Sequence, residues 1–352
     1  MSGIIYSIIA LSFLIFFHEL GHFVAARAFK VKVEVFSIGF GRKLFKKVLG
    51  GTEYCISAIP LGGYVQMKGQ NDFNPNERSD DFDSYDTKAP WQRIIILFAG
   101  PFANFILAFL LYIWIGSLIS PLAPQIGSFS ENSAAYKAGL QVNDTIKTIN
   151  GKEVNIWHDI RDIINDSSGE VNLTVLRDGQ LLSFHLTPTI ADEQNIFQES
   201  IKVRLIGISP SGALLHGYYK GLNGVKYAWS EFVFASTLTF KSIEKLVSGE
   251  VSPKNLTGII GIVDVSSAAA KTSFASFLFL IAIISVNLGI VNLLPIPALD
   301  GGHIMFNFYE MIFRRAPNEK VFYYMTVAGW IFLLSLILFT VYNDIARLLA
   351  GN

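Results

Sequence analysis

The residues best equipped for chemistry lie near the start of the chain, in Phe17-His18-Glu19-Leu20-Gly21-His22-Phe23. On a helix, histidines four residues apart share one face and can hold one metal ion, while the glutamate beside them can take and return a proton. That is the chemistry of metal-assisted hydrolysis. An H-E-x-x-H string also arises by chance on amphipathic helices, where its histidines face solvent or are satisfied in a core. Here the neighbours are Ile15, Phe16, Phe17, Leu20, Phe23 and Val24, so there is no polar face to receive them. The motif sits in an apolar run from Ile4 to Ala26, where a charged side chain costs about 2.5–3.5 kcal/mol at a bilayer centre. Three ionisable groups within five residues need a functional reason there. The pattern predicts a zinc-dependent peptidase centre within a membrane, with His18 and His22 as ligands and Glu19 as general base.

A catalytic zinc takes three protein ligands and keeps its fourth position open, so one ligand must come from elsewhere in the chain. The segment Asn292 to His303 closes a later apolar run, and in it Asp300 follows two helix-breaking prolines, Pro295 and Pro297. A carboxylate at such a break can complete a His-His-Asp set. Taken alone, Asp300 reads more simply as a helix N-cap or turn former, and His303 and Glu310 are competing ligands.

These residues must be held by membrane helices. Four stretches approach or exceed the ~20 apolar residues that span a bilayer: Ile4 to Ala26, Ile94 to Ile119, Phe274 to Leu294 and Val321 to Tyr342. The first is no signal peptide by pattern, because no Lys or Arg precedes it and Arg27, Lys30 and Lys32 follow it. Eleven Lys and Arg residues fall between Arg27 and Arg93, and Arg314, Arg315 and Lys320 lie between the last two spans. Positive-inside reasoning makes both loops cytoplasmic and both termini extracytoplasmic. Tyr227–Phe240, at about 14 residues and containing Glu231, reads as an interfacial helix. A fifth span there would also put Asp300 on the opposite face from the histidines.

Between the first two spans, Val31, Val33 and Val35 alternate with Lys32 and Glu34, and Tyr54, Ile56 and Ala58 alternate again. This predicts a β-hairpin with turns at Gly39, Gly41, Gly50 and Gly51, offering an edge strand beside the site, and a solvated loop from Gly69 to Lys88. The chain is 51% hydrophobic, 16% charged and of zero net charge, with no extended basic cluster, which speaks for a membrane protein and against a nucleic-acid partner. A single cysteine, Cys55, excludes an intrachain disulfide.

With these pieces in order along nearly the whole chain, the sequence resembles the site-2 protease family of intramembrane zinc metalloproteases, in a sigma-E-regulating, single-PDZ form. The resemblance rests on His18-Glu19-Leu20-Gly21-His22, Gly39-Phe40-Gly41, Gly100-Pro101-Phe102-Ala103-Asn104-Phe105, and Asn292 to His303 with Leu299-Asp300-Gly301. It implies zinc held by His18, His22 and Asp300, with Asn292, Gly39, Gly41 and Pro295 contacting substrate. Further on, Ala138-Gly139-Leu140, Asp144, Ile149-Asn150-Gly151 and two extended stretches joined by Arg177-Asp178-Gly179-Gln180 look like one PDZ domain. Proteobacterial members carry two. The family's Leu-Ser-Gly-Pro-Ile-Gly segment reads Leu256-Thr257-Gly258-Ile259-Ile260-Gly261 here.

The expected architecture is therefore a polytopic α-helical protein with four transmembrane helices, a membrane-associated β-hairpin region and one inserted α+β PDZ domain. Its parts are helix 1 with the motif (1–30), the hairpin region (31–93), helix 2 (94–120), the PDZ domain (121–190) and an extracytoplasmic linker with an amphipathic helix (191–273). Helix 3 ending in Leu-Asp-Gly (274–300), a cytoplasmic loop (301–320) and helix 4 (321–345) complete it. The resemblance implies a bacterial inner-membrane enzyme surrounded by lipid and acting on single-span membrane proteins, such as trimmed anti-sigma factors or remnant signal peptides. Its extracytoplasmic PDZ domain would contact the substrate's ectodomain or chain end. An inactive PDZ-bearing scaffold would instead carry a damaged catalytic set. A metal transporter would string ligands along a pathway.

Overall fold

The computed structural model describes residues 2–70, 79–195, 197 and 199–350. It opens with α1 (Ser2–Ala28), apolar around its whole circumference, which ends two residues before Lys30 at a left-handed φ of 59°. Strands β1 (Val33–Leu49) and β2 (Thr52–Met67) follow, joined by Gly50 and Gly51 at φ 57° and 82°, the paired positive values of a tight hairpin turn. Each strand is used twice. Residues from Val33 to Ile38 run opposite Met67 to Gly63, and Lys43 to Leu49 run opposite Ser57 to Thr52. Val35 to Ile38 also lie beside Glu53 to Ile56 in ascending register. Gly39 and Gly41 lie where turns were expected, at the point where β1 folds back between the part that ascends beside Glu53 to Ile56 and the part that runs opposite Ser57 to Thr52.

Helix α2 (Pro90–Leu118) contains Pro101, which leaves the Leu97 carbonyl without an intrahelical donor. The chain then enters a separate compact unit, Gly116–Lys226. In order come β3 (Ile126–Phe129), α3 (Ala134–Lys137), β4 (Thr145–Ile149), β5 (Lys152–Glu153), α4 (Trp157–Asp166), β6 (Val171–Arg177), β7 (Gln180–Leu186), β8 (Thr189–Gln194), β9 (Ser200–Leu205) and β10 (Ile208–Pro210). The rest is helical: α5 (Leu222–Ser248), α6 (Ile259–Thr272), α7 (Phe274–Asn292), α8 (Asp300–Phe313) and α9 (Glu319–Ala350), with a single 3-10 turn at Pro253–Asn255.

Among the described residues, four helices are long and apolar enough to cross a membrane, within α1, α2, α7 and α9, and each overlaps an expected span. Residues 191–273 are more than a linker, and their amphipathic helix is longer than expected. Helix α5 runs for 27 residues and docks on its neighbours through Phe232 against Phe105 of α2 and a Thr239–Asn287 hydrogen bond to α7. Residues 301–320 are not a plain loop either, because α8 occupies most of them.

In the membrane unit, the end of α1, the start of β1, the end of β2 and the start of α2 meet in a core of Ala26, Val31, Val33, Met67, Tyr85 and Ile96. Each fully buried aliphatic side chain there contributes about 1.5–3 kcal/mol. Tyr85 falls in the stretch expected to be solvated, but it is buried, and its neighbours Asp81 and Asp83 pair with Lys68 at 2.7 Å. At the far end, α6 begins without a side chain of its own to cap it. The buried Asp344 carboxylate of α9 accepts from the Gly258 and Gly261 N–H groups at 3.1 Å, and Arg347 donates to the Leu256 carbonyl at 2.6 Å. Ile259, in the place of the family's proline, takes the first helical position, where proline is favoured for its fixed φ.

The second unit is built on an antiparallel sheet in the order β5-β4-β6-β7, over whose core α4 lays Ile160 and Ile164. Asp159 starts α4 by accepting the backbone N–H groups of Asn155 and Ile156. The unit reaches beyond residue 190. Ile206 belongs to its core, and β10 pairs with β3.

Candidate active site

His18 and His22 project from successive turns of α1, with ring centroids 4.8 Å apart and near-perpendicular planes. Leu293 to Leu299 turn the chain from α7 into α8, passing through Ala298 at φ 90°, a strained value for a residue with a side chain. Asp300 is thus the first residue of α8 rather than the end of the third span, and Leu299, not Asp300, occupies the cap position. The Asp300 carboxylate turns to the histidines instead. Its Oδ2 lies 3.3 Å from His18 Nε2 and 3.5 Å from His22 Nε2, and the two Nε2 atoms are 3.2 Å apart.

These separations suit a zinc ion. Ligand bonds of about 2.0–2.1 Å in a tetrahedron put neighbouring ligand atoms about 3.3–3.4 Å apart. The hydrogen bonds at the other ring atoms point the same way. His22 Nδ1 donates to the Ile96 carbonyl at 2.8 Å, which leaves the Nε2 lone pair facing inward. His18 Nδ1 is 3.1 Å from the Asn104 carboxamide nitrogen, while Asn104 Oδ1 is buried without a partner. With the amide oxygen and nitrogen exchanged, Oδ1 accepts from the His18 Nδ1–H. Both imidazoles then present Nε2 lone pairs toward a carboxylate oxygen that has no hydrogen-bond donor of its own. Three acceptors so close together call for a cation between them.

Glu19 borders the cluster and accepts a hydrogen bond from the Val65 backbone N–H of β2. A cavity of about 250 Å³ opens here, lined by Ile15, His18, Glu19 and Asp300, by Gly62 and Gly63 of β2, and by Leu288, Asn292, Ala298 and Leu299. Asn292 Nδ2 lies 3.5 Å from His18 Nε2. A side chain at Gly63 would come within 2.9 Å of Ile15 and 3.3 Å of Glu19, so glycine keeps the strand backbone open to the cavity.

Of the residues expected to meet substrate, only Asn292 lines the cavity. Gly39 is buried within the bend of β1, Gly41 is exposed, and Pro295 is exposed on the α7–α8 turn. The glycines that face the cavity are Gly62 and Gly63, whose position depends on β2 folding back beside α1. The competing ligands are engaged elsewhere. The His303 ring packs 5.8 Å from Phe322 of α9, and Glu310 pairs with Arg93 of α2 at 2.6 Å.

Sequence reasoning gave Asn104 no role at the site. The available signal was a carboxamide in an apolar span, where an unpaired polar group is expensive. Gly100, one turn earlier on α2, lies directly against the His22 ring, and a methyl group there would overlap Nε2. Gly100→Ala is expected to cost about 1–3 kcal/mol of stability through overpacking. It should also release zinc at a chelator concentration that the wild type withstands. Denaturant unfolding and metal content of the purified variant check both effects.

The comparisons with known proteins agree with this geometry. The model of peptidase family M50 matches residues 6–336. Two proteins named "Putative zinc metalloprotease" are similar over most of their length. One, from Campylobacter jejuni, is 51% identical over 97% of this chain and 93% of its own. The other, from Helicobacter pylori strain J99, is 40% identical over 98% of this chain and 99% of its own. The "Zinc metalloprotease RasP" of Bacillus licheniformis is 29% identical over 99% of this chain and the whole of its own.

Proposed function

The chain belongs to peptidase family M50 and is a zinc metalloprotease with the helices of a multi-pass membrane protein, and from that premise we propose that it cuts peptide bonds inside the transmembrane segments of single-span membrane proteins. The observation that carries the reading is the convergence of His18, His22 and Asp300, whose ligand atoms lie within 4.8 Å of one another, on a cavity bordered by Glu19. The α1 and α7 residues of that cavity belong to helices apolar enough to lie in a bilayer.

His18, His22 and Asp300 hold the zinc. When bound, it supplies a Lewis acid that makes water a nucleophile near neutral pH. Glu19 takes the proton of the attacking water and returns it to the leaving amine. The Val65 N–H holds the Glu19 carboxylate in place for both transfers. A substrate helix must first unwind, because its own hydrogen bonds shield the peptide bond. Gly62 and Gly63 give the extended chain close access to backbone, and the Asn292 amide donates to a carbonyl near the scissile bond.

The Lys and Arg residues between Arg27 and Arg93 hold the hairpin region on the cytoplasmic side of a bacterial inner membrane, with both termini and the Gly116–Lys226 unit outside. That unit acts as a single PDZ-type domain. Strand β10 has β3 as its only neighbour among the described residues, so its other edge can accept an extended chain from a substrate ectodomain. Trimmed anti-sigma factors and remnant signal peptides are the substrate classes this arrangement suits.

A domain outside the membrane acts on which substrates arrive, not on the bond that is cut. Replacing the residues between α2 and α5 with a flexible linker should therefore preserve zinc content and cleavage of a short-ectodomain substrate. It should also permit cleavage of long-ectodomain substrates that the intact enzyme rejects, with products identified by mass spectrometry. Loss of all cleavage with zinc retained would show instead that the unit helps to assemble the site.

A further inference from the structure

Helix α2 presents Arg93, Ile96, Gly100 and Asn104 at intervals of three, four and four residues, which is one stripe along its surface. Three members of the stripe touch the metal site directly. Ile96 accepts from His22, Gly100 makes room for the His22 ring, and Asn104 pairs with His18. Arg93 continues the stripe beyond the site. Its Nη2 donates to Glu310 Oε1 at 2.6 Å and its Nε to the Lys88 carbonyl at 3.1 Å, with the Arg93 and Glu310 side chains only 14% and 23% exposed.

Glu310 lies on α8, ten residues after Asp300, or about 15 Å along the helix axis. The start of α8 is seated by Gly301 and Gly302 against the backbone of Leu293, Leu294 and Ile296. The Arg93–Glu310 pair holds its later turns. A ligand oxygen about 5–6 Å from a helix axis moves about 1 Å for a roll of 10°. Metal ligation tolerates about 0.2 Å. An anchor against roll is therefore needed if Asp300 is to meet the histidines.

We propose that the Arg93–Glu310 ion pair is a positioning device for Asp300, registering α8 against the same stripe of α2 that orients His18 and His22. The inference rests on the assignment of His18, His22 and Asp300 as the zinc ligands. Neither Arg93 nor Glu310 lines the cavity or belongs to the His18-His22-Asp300 cluster, so the effect passes through the set of α8.

The test uses the full-length protein in lipid nanodiscs with Arg93→Gln, Glu310→Gln and the exchanged pair Arg93→Glu/Glu310→Arg. Zinc affinity by chelator competition, the visible spectrum of the cobalt-substituted protein, kcat and KM on a single-span substrate, and the Tm of the zinc-free protein are measured for each. Each single neutralisation should weaken zinc binding about 10-fold, at the lower end of the range for outer-shell partners. It should also alter the cobalt spectrum and lower kcat with little change in KM, and the exchanged pair should recover much of the loss. If Glu310→Gln fails to fold, Glu310→Asp keeps the charge, shortens the reach by one methylene and carries the same readouts.

A lowered Tm with zinc affinity and cobalt spectrum like the wild type would overturn the proposal, as would no change at all. Asp300→Ala, run alongside, separates the two levels of the argument. Zinc retained in Asp300→Ala removes the ligand assignment and the positioning role with it. Zinc lost there but held normally by the Arg93 and Glu310 variants removes the positioning role alone.

Discussion

Glu19→Gln should bind zinc with wild-type stoichiometry and lose about 10²–10⁴-fold in cleavage rate, the usual contribution of a positioned general base. The substitution leaves Nε2 of His18, Nε2 of His22 and Oδ2 of Asp300 untouched. The new carboxamide keeps nearly the same volume, and its oxygen can still accept from the Val65 N–H. What disappears is the capacity to take a proton from water. Metal analysis of the purified variant, together with single-turnover cleavage of a single-span substrate, separates binding from chemistry. Turnover close to wild type would sink the assignment of Glu19.

Asp300→Ala should release zinc, with an affinity loss larger than the 10–100-fold that removal of an outer-shell partner costs. It removes the one anionic member of the set and leaves two imidazoles facing each other at 3.2 Å. His303→Ala should leave zinc binding unchanged, because that ring packs on Phe322. It remains the right control, since it is polar, three residues away and on the same helix. Chelator competition on both variants decides the matter. Retention by Asp300→Ala with loss by His303→Ala would hand the third position to the histidine.

How far the site could be read in advance follows from the range of the interactions. The i, i+4 spacing of His18 and His22 is local, and so is the proline break before Asp300, so both were legible in the sequence. Glu310 could be separated from the ligands only through Arg93, its partner 217 residues away in sequence. The start of α8 was expected to be the end of the third span followed by a loop, and two glycines follow Asp300 there. Their role is tertiary, to let the helix approach the backbone of Leu293 to Ile296. Gly39 and Gly41 read as turns, and the chain does reverse at them, since Val35 to Ile38 and Lys43 to Leu49 run in opposite senses along Thr52 to Ser57. The inserted unit was cut short at residue 190 because the pairing of Ile208–Pro210 with Ile126–Phe129 joins segments about 80 residues apart, and no local pattern announces it.

The Asp344 cap on α6 also sets an order of events during synthesis. The Gly258 N–H waits for an acceptor that is 86 residues further along the chain. At ribosomal rates of about 5–20 residues per second, that interval is about 4–17 s. In the finished fold α6 packs beside α1, and until Asp344 is made its first turn lacks this acceptor, with the Arg347 contact to Leu256 available later still. The helix that packs against the motif-bearing α1 is therefore completed only when the final span has been made, so a nascent chain arrested before Asp344 carries every zinc ligand on an unfinished scaffold.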